Sequence, residues 1–251
     1  MSRADRRAVH EELPRTTGVR PPHRYLLHLL SPPARATLRH RFDVEIHGAE
    51  QFPSAGPVVV AANHVGFVDG PMMAIFAPRP LHALTKREMF TGAMGQFLGQ
   101  AGQIPVWREE VDPAAVRSAL RVLRDGGAVG VFPEGTRGAG EMLRTESGAA
   151  YLALVTGASV LPLVFVGTRE RGGSLNSVPP AGTHVVMQYG APFSVGKQAW
   201  PRRQPDVRQT AEQVRAIVRE LLDEALARTG MTSPGPLPEN LNEQQHRKEA
   251  S

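Results

Sequence analysis

Val58-Val59-Val60-Ala61-Ala62-Asn63-His64-Val65-Gly66-Phe67-Val68-Asp69-Gly70-Pro71 joins two apolar segments through a short turn. An apolar run ends in Asn-His, a short turn follows, and Asp-Gly-Pro opens a second apolar segment. This pattern reads as a buried strand that delivers a histidine to a strand–turn–helix corner. On one continuous helix, residues five apart stand roughly 140° apart and their side chains do not meet. Across a turn containing Gly66, the Asp69 carboxylate can fold back onto the His64 imidazole. A histidine held by an aspartate is the general-base half of a triad. The plainer reading is that Asp69 caps the helix started by Pro71 and that His64 is a satisfied histidine at a strand end.

Outward from this corner, strands alternate with helices. Asp43 to Gly48 alternates like an edge strand, and 57–62 is a core strand. A helix is expected over 71–77, a strand over 81–85 and a Gly-spaced helix over 91–99. Gly102 to Arg108 reads as a strand ending in Arg. Asp112-Pro113 opens a helix with Val116, Ala119, Leu120 and Leu123 on one face, stopped by Gly126-Gly127. Further strands are expected at 128–132, 159–166 (carrying Pro162) and 183–189. Residues 138–147 and 167–182 read as loops, 148–156 as a small-residue helix, and 206–228 as a long amphipathic helix. The expected fold is α/β, a mostly parallel central sheet covered by helices on both faces, in one domain. That domain is placed at 43–229. Residues 1–22 are expected to be a poorly ordered basic arm, 23–42 two short amphipathic segments able to touch a membrane, and 230–251 a disordered tail.

Composition narrows the chemistry. The 251 residues contain no cysteine, which excludes disulfides, thiolate nucleophiles and Cys-based zinc sites. The 29 basic residues against 24 acidic give a net charge of +5 and suit anionic partners. No apolar run approaches the ~20 residues of a membrane span. No apolar signal core follows the N-terminus, so a cytoplasmic or peripheral location on the cytoplasmic membrane face is expected. Aromatics make up only 6% and are not interleaved with the basic residues, which speaks against nucleic acid. Gly-X-Ser-X-Gly, Gly-X4-Gly-Lys-Ser/Thr and Gly-X-Gly-X-X-Gly patterns are all missing, against an acyl-serine hydrolase, a P-loop kinase and a dinucleotide enzyme.

Three polar groups of residues fall at predicted strand C-termini: the His64 corner, Arg108, and Glu134-Gly135-Thr136-Arg137. Open parallel sheets bind ligands at that edge. Arg108 and Arg137 make a plausible anion site, with Gly135 and Thr136 supplying a backbone N–H and a hydroxyl. For a lone arginine the alternative is a solvated charge, and Glu134 with Arg137 can be a structural ion pair.

These blocks, in this order, resemble those of the lysophosphatidic acid acyltransferase family within the glycerolipid acyltransferases. Asn63 through Asp69 is similar to the His-X4-Asp block and Phe132 through Arg137 to the Glu-Gly-Thr-Arg block. Gly102 through Arg108 is similar to the intermediate block and Val160-Leu161-Pro162-Leu163 to the last one. The resemblance covers about 43–192. It implies a glycerolipid acyltransferase-like fold, with His64 as general base and Asp69 orienting it. It also implies that Arg108, Glu134, Gly135, Thr136 and Arg137 hold the phosphate end of a lysophosphatidic acid acceptor. The acyl group would come from acyl-CoA or acyl-ACP, give phosphatidic acid, and pass through no covalent enzyme intermediate. No metal and no cofactor beyond the acyl thioester co-substrate is implied, and a membrane surface is the expected partner. One position departs from the pattern: Glu146 stands where many relatives carry Lys, and a carboxylate near a phosphate is unfavourable by roughly 1 kcal/mol or more at short range. A different lysophospholipid or lipid hydroxyl is therefore the alternative acceptor. A non-catalytic basic lipid- or nucleic-acid-binding protein is the reading from another class.

Overall fold

The computed structural model describes residues 13–23, 25–107 and 111–236. The expectations for residues 1–12, for Arg108 and for the chain beyond 236 lie outside these residues.

The central strand is β2 (Val58–Ala62), in which every residue is buried. It is continuously apolar because both of its faces are covered. Val59 and Ala61 face one core with helices α4 (Pro113–Arg124), α5 (Gly148–Thr156) and α6 (Gln204–Thr229). Val58, Val60 and Ala62 face the other, with α1 (Tyr25–Arg41) and α2 (Asp69–Phe76).

Around β2 stand β1 (Asp43–His47), β3 (Leu81–Lys86), β4 (Ile104–Val106), β5 (Ala128–Val131), β6 (Ser159–Val166) and β7 (His184–Tyr189). Their order across the seven-stranded sheet is β1-β7-β6-β2-β5-β3-β4. β6, β2, β5, β3 and β4 are mutually parallel. The pair β6–β7 is antiparallel, and β1 pairs parallel with β7. The reversal follows from the connection: 167–183 contains no helix, so the chain returns beside β6 without a crossover. A helix α3 (Gly92–Gln100) links β3 to β4.

Pro162 sits inside a central strand without breaking it. Its carbonyl accepts from Gly190 N at 3.0 Å, so its missing N–H also points toward β7. The β6–β7 ladder runs only from Leu163 opposite Tyr189 onward, so no ladder bond is lost there.

Two N-terminal expectations change. The two segments expected over 23–42 form one helix, α1, despite Pro32 and Pro33 within it. The proline φ is compatible with a helix. The Ser31 hydroxyl donates to the Leu27 carbonyl, and Thr37 Oγ1 donates to Pro33 O at 3.0 Å. Arg35 then fastens α1 to the end of α2, donating to the carbonyls of Ile75 at 2.6 Å and Ala77 at 2.7 Å. The described part of the expected arm also lies against the domain. Arg124 Nη1 donates to Pro14 O at 2.8 Å and to Thr16 Oγ1 at 2.9 Å. Among the described residues no helix is long and apolar enough to cross a membrane.

Candidate active site

Because β2 lies between β5 and β6, the loops leaving these three strands at their carboxyl ends become neighbours. β2 ends at Ala62, and Asn63 extends its pairing by one side chain. Asn63 Nδ2 donates to Phe165 O at 3.0 Å, and its Oδ1 accepts from Phe165 N at 2.7 Å. The amide thus imitates a strand residue and fixes where the next residue, His64, leaves the sheet.

The turn after it folds back as the spacing predicts. Asp69 is fully buried, and its Oδ2 accepts from His64 Nδ1 at 2.9 Å. The same oxygen accepts from the backbone N–H groups of Val65 at 2.7 Å and Gly66 at 2.8 Å. Asp69 is the first residue of α2 rather than its N-cap, and the cap position, Val68, has no side-chain bond. The capping alternative therefore does not describe it: the carboxylate reaches back to the turn. Gly66 permits the close approach of this turn to the β6 loop, since a Cβ there would stand 2.2 Å from Thr168 O.

Glu134 joins from the β5 side. Its Oε1 accepts the backbone N–H of His64 at 2.8 Å. Burial pushes the Glu134 carboxyl up to about 7, the His64 N–H works against that shift, and the Asp69 charge adds to it. The His64 ring stacks on Phe132, with centroids 3.9 Å apart and planes 15° apart. The His64 carbonyl accepts from Gly138 N at 3.0 Å. Gly135 takes a left-handed φ of 70° where the chain turns, and its N–H donates to Phe132 O at 3.0 Å.

The residues expected to bind an anion are divided. Glu134 and Gly135 lie beside His64, with the Glu134 carboxylate turned onto the His64 backbone. Thr136 is exposed. Arg137 Nη1 donates to the Leu175 carbonyl and to Asn176 Oδ1 at 3.0 Å, which ties this turn to the loop after β6. Arg108 falls outside the described residues. Glu146 is exposed, and its N–H donates to Pro133 O at 2.6 Å, which places it next to the Gly135 turn.

This arrangement can take up a proton. The buried Asp69 carboxylate accepts from Nδ1–H, so the lone pair of the imidazole lies on Nε2. Among the described residues no group of His, Asp or Glu is arranged to hold a metal ion.

A family model described as Acyltransferase matches residues 43–166, which contain the His64 corner and the β5 turn. The 1-acyl-sn-glycerol-3-phosphate acyltransferase of Bacillus subtilis is 30% identical over 135 residues, 53% of this chain and 67% of that protein. The chain belongs to the 1-acyl-sn-glycerol-3-phosphate acyltransferase family. Members of that family are O-acyltransferases. The human 1-acyl-sn-glycerol-3-phosphate acyltransferase alpha is 36% identical over 126 residues, 48% of this chain and 44% of that protein. The chain thus spans about two thirds of the Bacillus relative's length and under half of the human one's. The solved 1-acyl-sn-glycerophosphate acyltransferase of Thermotoga maritima shares the fold, with a TM-score of 0.62 and 22% identity, over 89% of this chain and 88% of that one.

Three members of this site are not among the sequence-predicted residues. Asn63 and Phe132 are each the first residue of a quoted motif, but neither has a role that the sequence assigns. Arg169 lies in the stretch read as a loop, three residues past the end of β6, where it is buried and donates to Gly138 O at 2.8 Å; nothing in its local sequence marks it.

Proposed function

We propose that this acyltransferase moves a fatty acyl group from an acyl thioester, acyl-CoA or acyl-ACP, to the free hydroxyl of lysophosphatidic acid. The observation that carries the reading is the His64–Asp69 pair at the carboxyl end of β2, with its carboxylate fixed by two backbone N–H groups. His64 Nε2 takes the proton of the acceptor hydroxyl. The oxygen attacks the thioester carbonyl, the C–S bond breaks, and the thiolate leaves with the proton from the imidazolium. No enzyme side chain is acylated, and phosphatidic acid is the product. Glu134 anchors the His64 backbone, while Gly135, Thr136 and Arg137, together with Arg108, receive the acceptor's phosphate end.

Membrane contact is part of the same reading, on the cytoplasmic face and peripheral. On α1, Leu29 is exposed, but Arg35 is held by α2 and Arg41 Nη2 by Pro179 O at 2.7 Å. Met94, Phe97 and Trp107 are also exposed, and these apolar side chains support membrane contact at least as well as α1 does.

Glu146 beside the Gly135 turn favours a second reading, in which the acceptor is another lysophospholipid or lipid hydroxyl. The test is transfer from labelled acyl-CoA and acyl-ACP to lysophosphatidic acid and to a panel of other lysolipids. Labelled phosphatidic acid supports the first reading. Label only in another lysolipid's product supports the second, and no labelled product with any acceptor contradicts both.

A further inference from the structure

Behind the His64–Asp69 pair, on the loop leaving β6, lies a buried cation with no part in the proton transfer. Arg169 is 3% exposed. Its guanidinium donates to three backbone carbonyls: Gly138 at 2.8 Å, Gly235 at 2.9 Å and Gly173 at 3.3 Å. Its Nε is buried and makes no hydrogen bond among the described residues. No carboxylate among them lies within ion-pair distance of it. A guanidinium keeps its charge even when buried, and neutral carbonyls alone compensate that charge poorly.

Two contacts connect it to the pair. Gly138, which Arg169 grips by its carbonyl, donates its own N–H to the His64 carbonyl at 3.0 Å. On the other side, the carbonyl of Thr168, its chain neighbour, is the group against which Gly66 packs, and Gly66 N binds Asp69 Oδ2 at 2.8 Å. Asp69 and Arg169 also feel each other's charge: burial lowers the Arg169 pKa and the Asp69 carboxylate raises it again.

We propose that Arg169 is a positioning residue for the His64–Asp69 pair, holding the His64 carbonyl through Gly138 and setting a fixed positive charge behind Asp69 that favours the neutral imidazole. A cation near a base disfavours the base's protonated form. Asp69 from its own turn accepts from His64 Nδ1, Glu134 from the β5 turn accepts from the His64 N–H, and Arg169 from the β6 loop reaches the pair through Gly138 and through the charge of Asp69. The Asp69 carboxylate favours the imidazolium, and Glu134, held up to about 7 by burial, adds to this only where it is ionised. Arg169 opposes them, so that Nε2 keeps its lone pair for the acceptor's proton.

The inference rests on His64 being the base, but its test needs no turnover. The His64 imidazole is titrated by nitrogen-resolved NMR in the full chain, assigned by its loss in His64→Gln, for wild type, Arg169→Gln and Arg169→Lys. In Arg169→Gln the His64 midpoint is expected to rise by about half a unit or more. In Arg169→Lys, which keeps the charge, it stays at the wild-type value. The acid limb of the transfer rate moves to higher pH in the Gln variant alone. An unmoved midpoint in a folded Arg169→Gln chain overturns the proposal. Should that variant not fold, Arg169→Lys decides: a midpoint that rises with the charge retained overturns it equally. A chain that acylated no lysolipid would defeat the functional reading, while the midpoint would still judge Arg169.

Discussion

The middle of the sheet and its β3–β4 edge treat their side chains in opposite ways. At the ends of β2, β5 and β6, backbone groups from three loops converge on a few titratable side chains. Asp69 Oδ2 alone accepts three hydrogen bonds. At the edge, α3 buries none of its residues. Met94 is 53% exposed, Phe97 48%, and Trp107, after β4, 49% with Arg87 stacked 5.1 Å over its ring. Three parallel neighbours supply enough fixed dipoles to hold a charge out of water. An edge strand has one neighbour and cannot do so. Chemistry and exposed apolar surface are therefore sorted by position in the sheet: the centre fixes protons, and the edge presents apolar side chains.

The contrast can be broken first at its centre. Asp69→Asn keeps the shape but removes the acceptor that fixes the Nδ1 proton. Transfer is expected to fall on the order of 10²–10⁴-fold in kcat, read by steady-state kinetics, with the fold retained. Next, Gly66→Ala places a Cβ 2.2 Å from Thr168 O. The backbone there has no room to yield, so chemical denaturation should show a loss of about 1–3 kcal/mol or more.

A third change sharpens the electrostatics. The Glu134 pKa of about 7 exceeds its ordinary 4.5, so the folded state holds the proton more tightly than the unfolded chain does. The carboxyl therefore favours folding below about 4.5, and that contribution is lost as pH rises through about 7. Glu134→Gln should flatten this part of the stability curve. Urea midpoints at several pH values, wild type minus variant, check it. The smallest effect belongs to the edge: Phe97→Ser should change stability by no more than about 0.5 kcal/mol, yet reduce co-sedimentation with phospholipid vesicles.

What the chain's local pattern makes legible is local. The His64–Asp69 contact follows from six residues and one glycine, and the cap of α4 from Asp112-Pro113, with Asp112 Oδ1 accepting from Ala114 and Ala115 N at 3.0 Å each. The expected positions of β2, β5, α5 and β6 likewise follow from short apolar runs between turn residues. Asn63 was not legible, because its partner, Phe165, becomes its neighbour only when β6 pairs with β2. The contact of Glu134 with the His64 backbone was not legible for the same reason: the motif shows only its place in the turn, and it is the β2–β5 pairing that brings its carboxylate to the His64 N–H. The proline pair in α1 looked like a break because the sequence does not show that Arg35 and Leu38 hold the second half of that helix against the domain.

The role of His64 as base is decided by comparing wild type with His64→Ala. Labelled acyl thioester and lysophosphatidic acid are supplied in phospholipid vesicles, and denaturation is followed in parallel. With Nε2 as the base, the variant keeps its fold and loses transfer by on the order of 10³-fold or more. A folded His64→Ala protein that transfers the acyl group at near the wild-type rate would contradict His64 as the base.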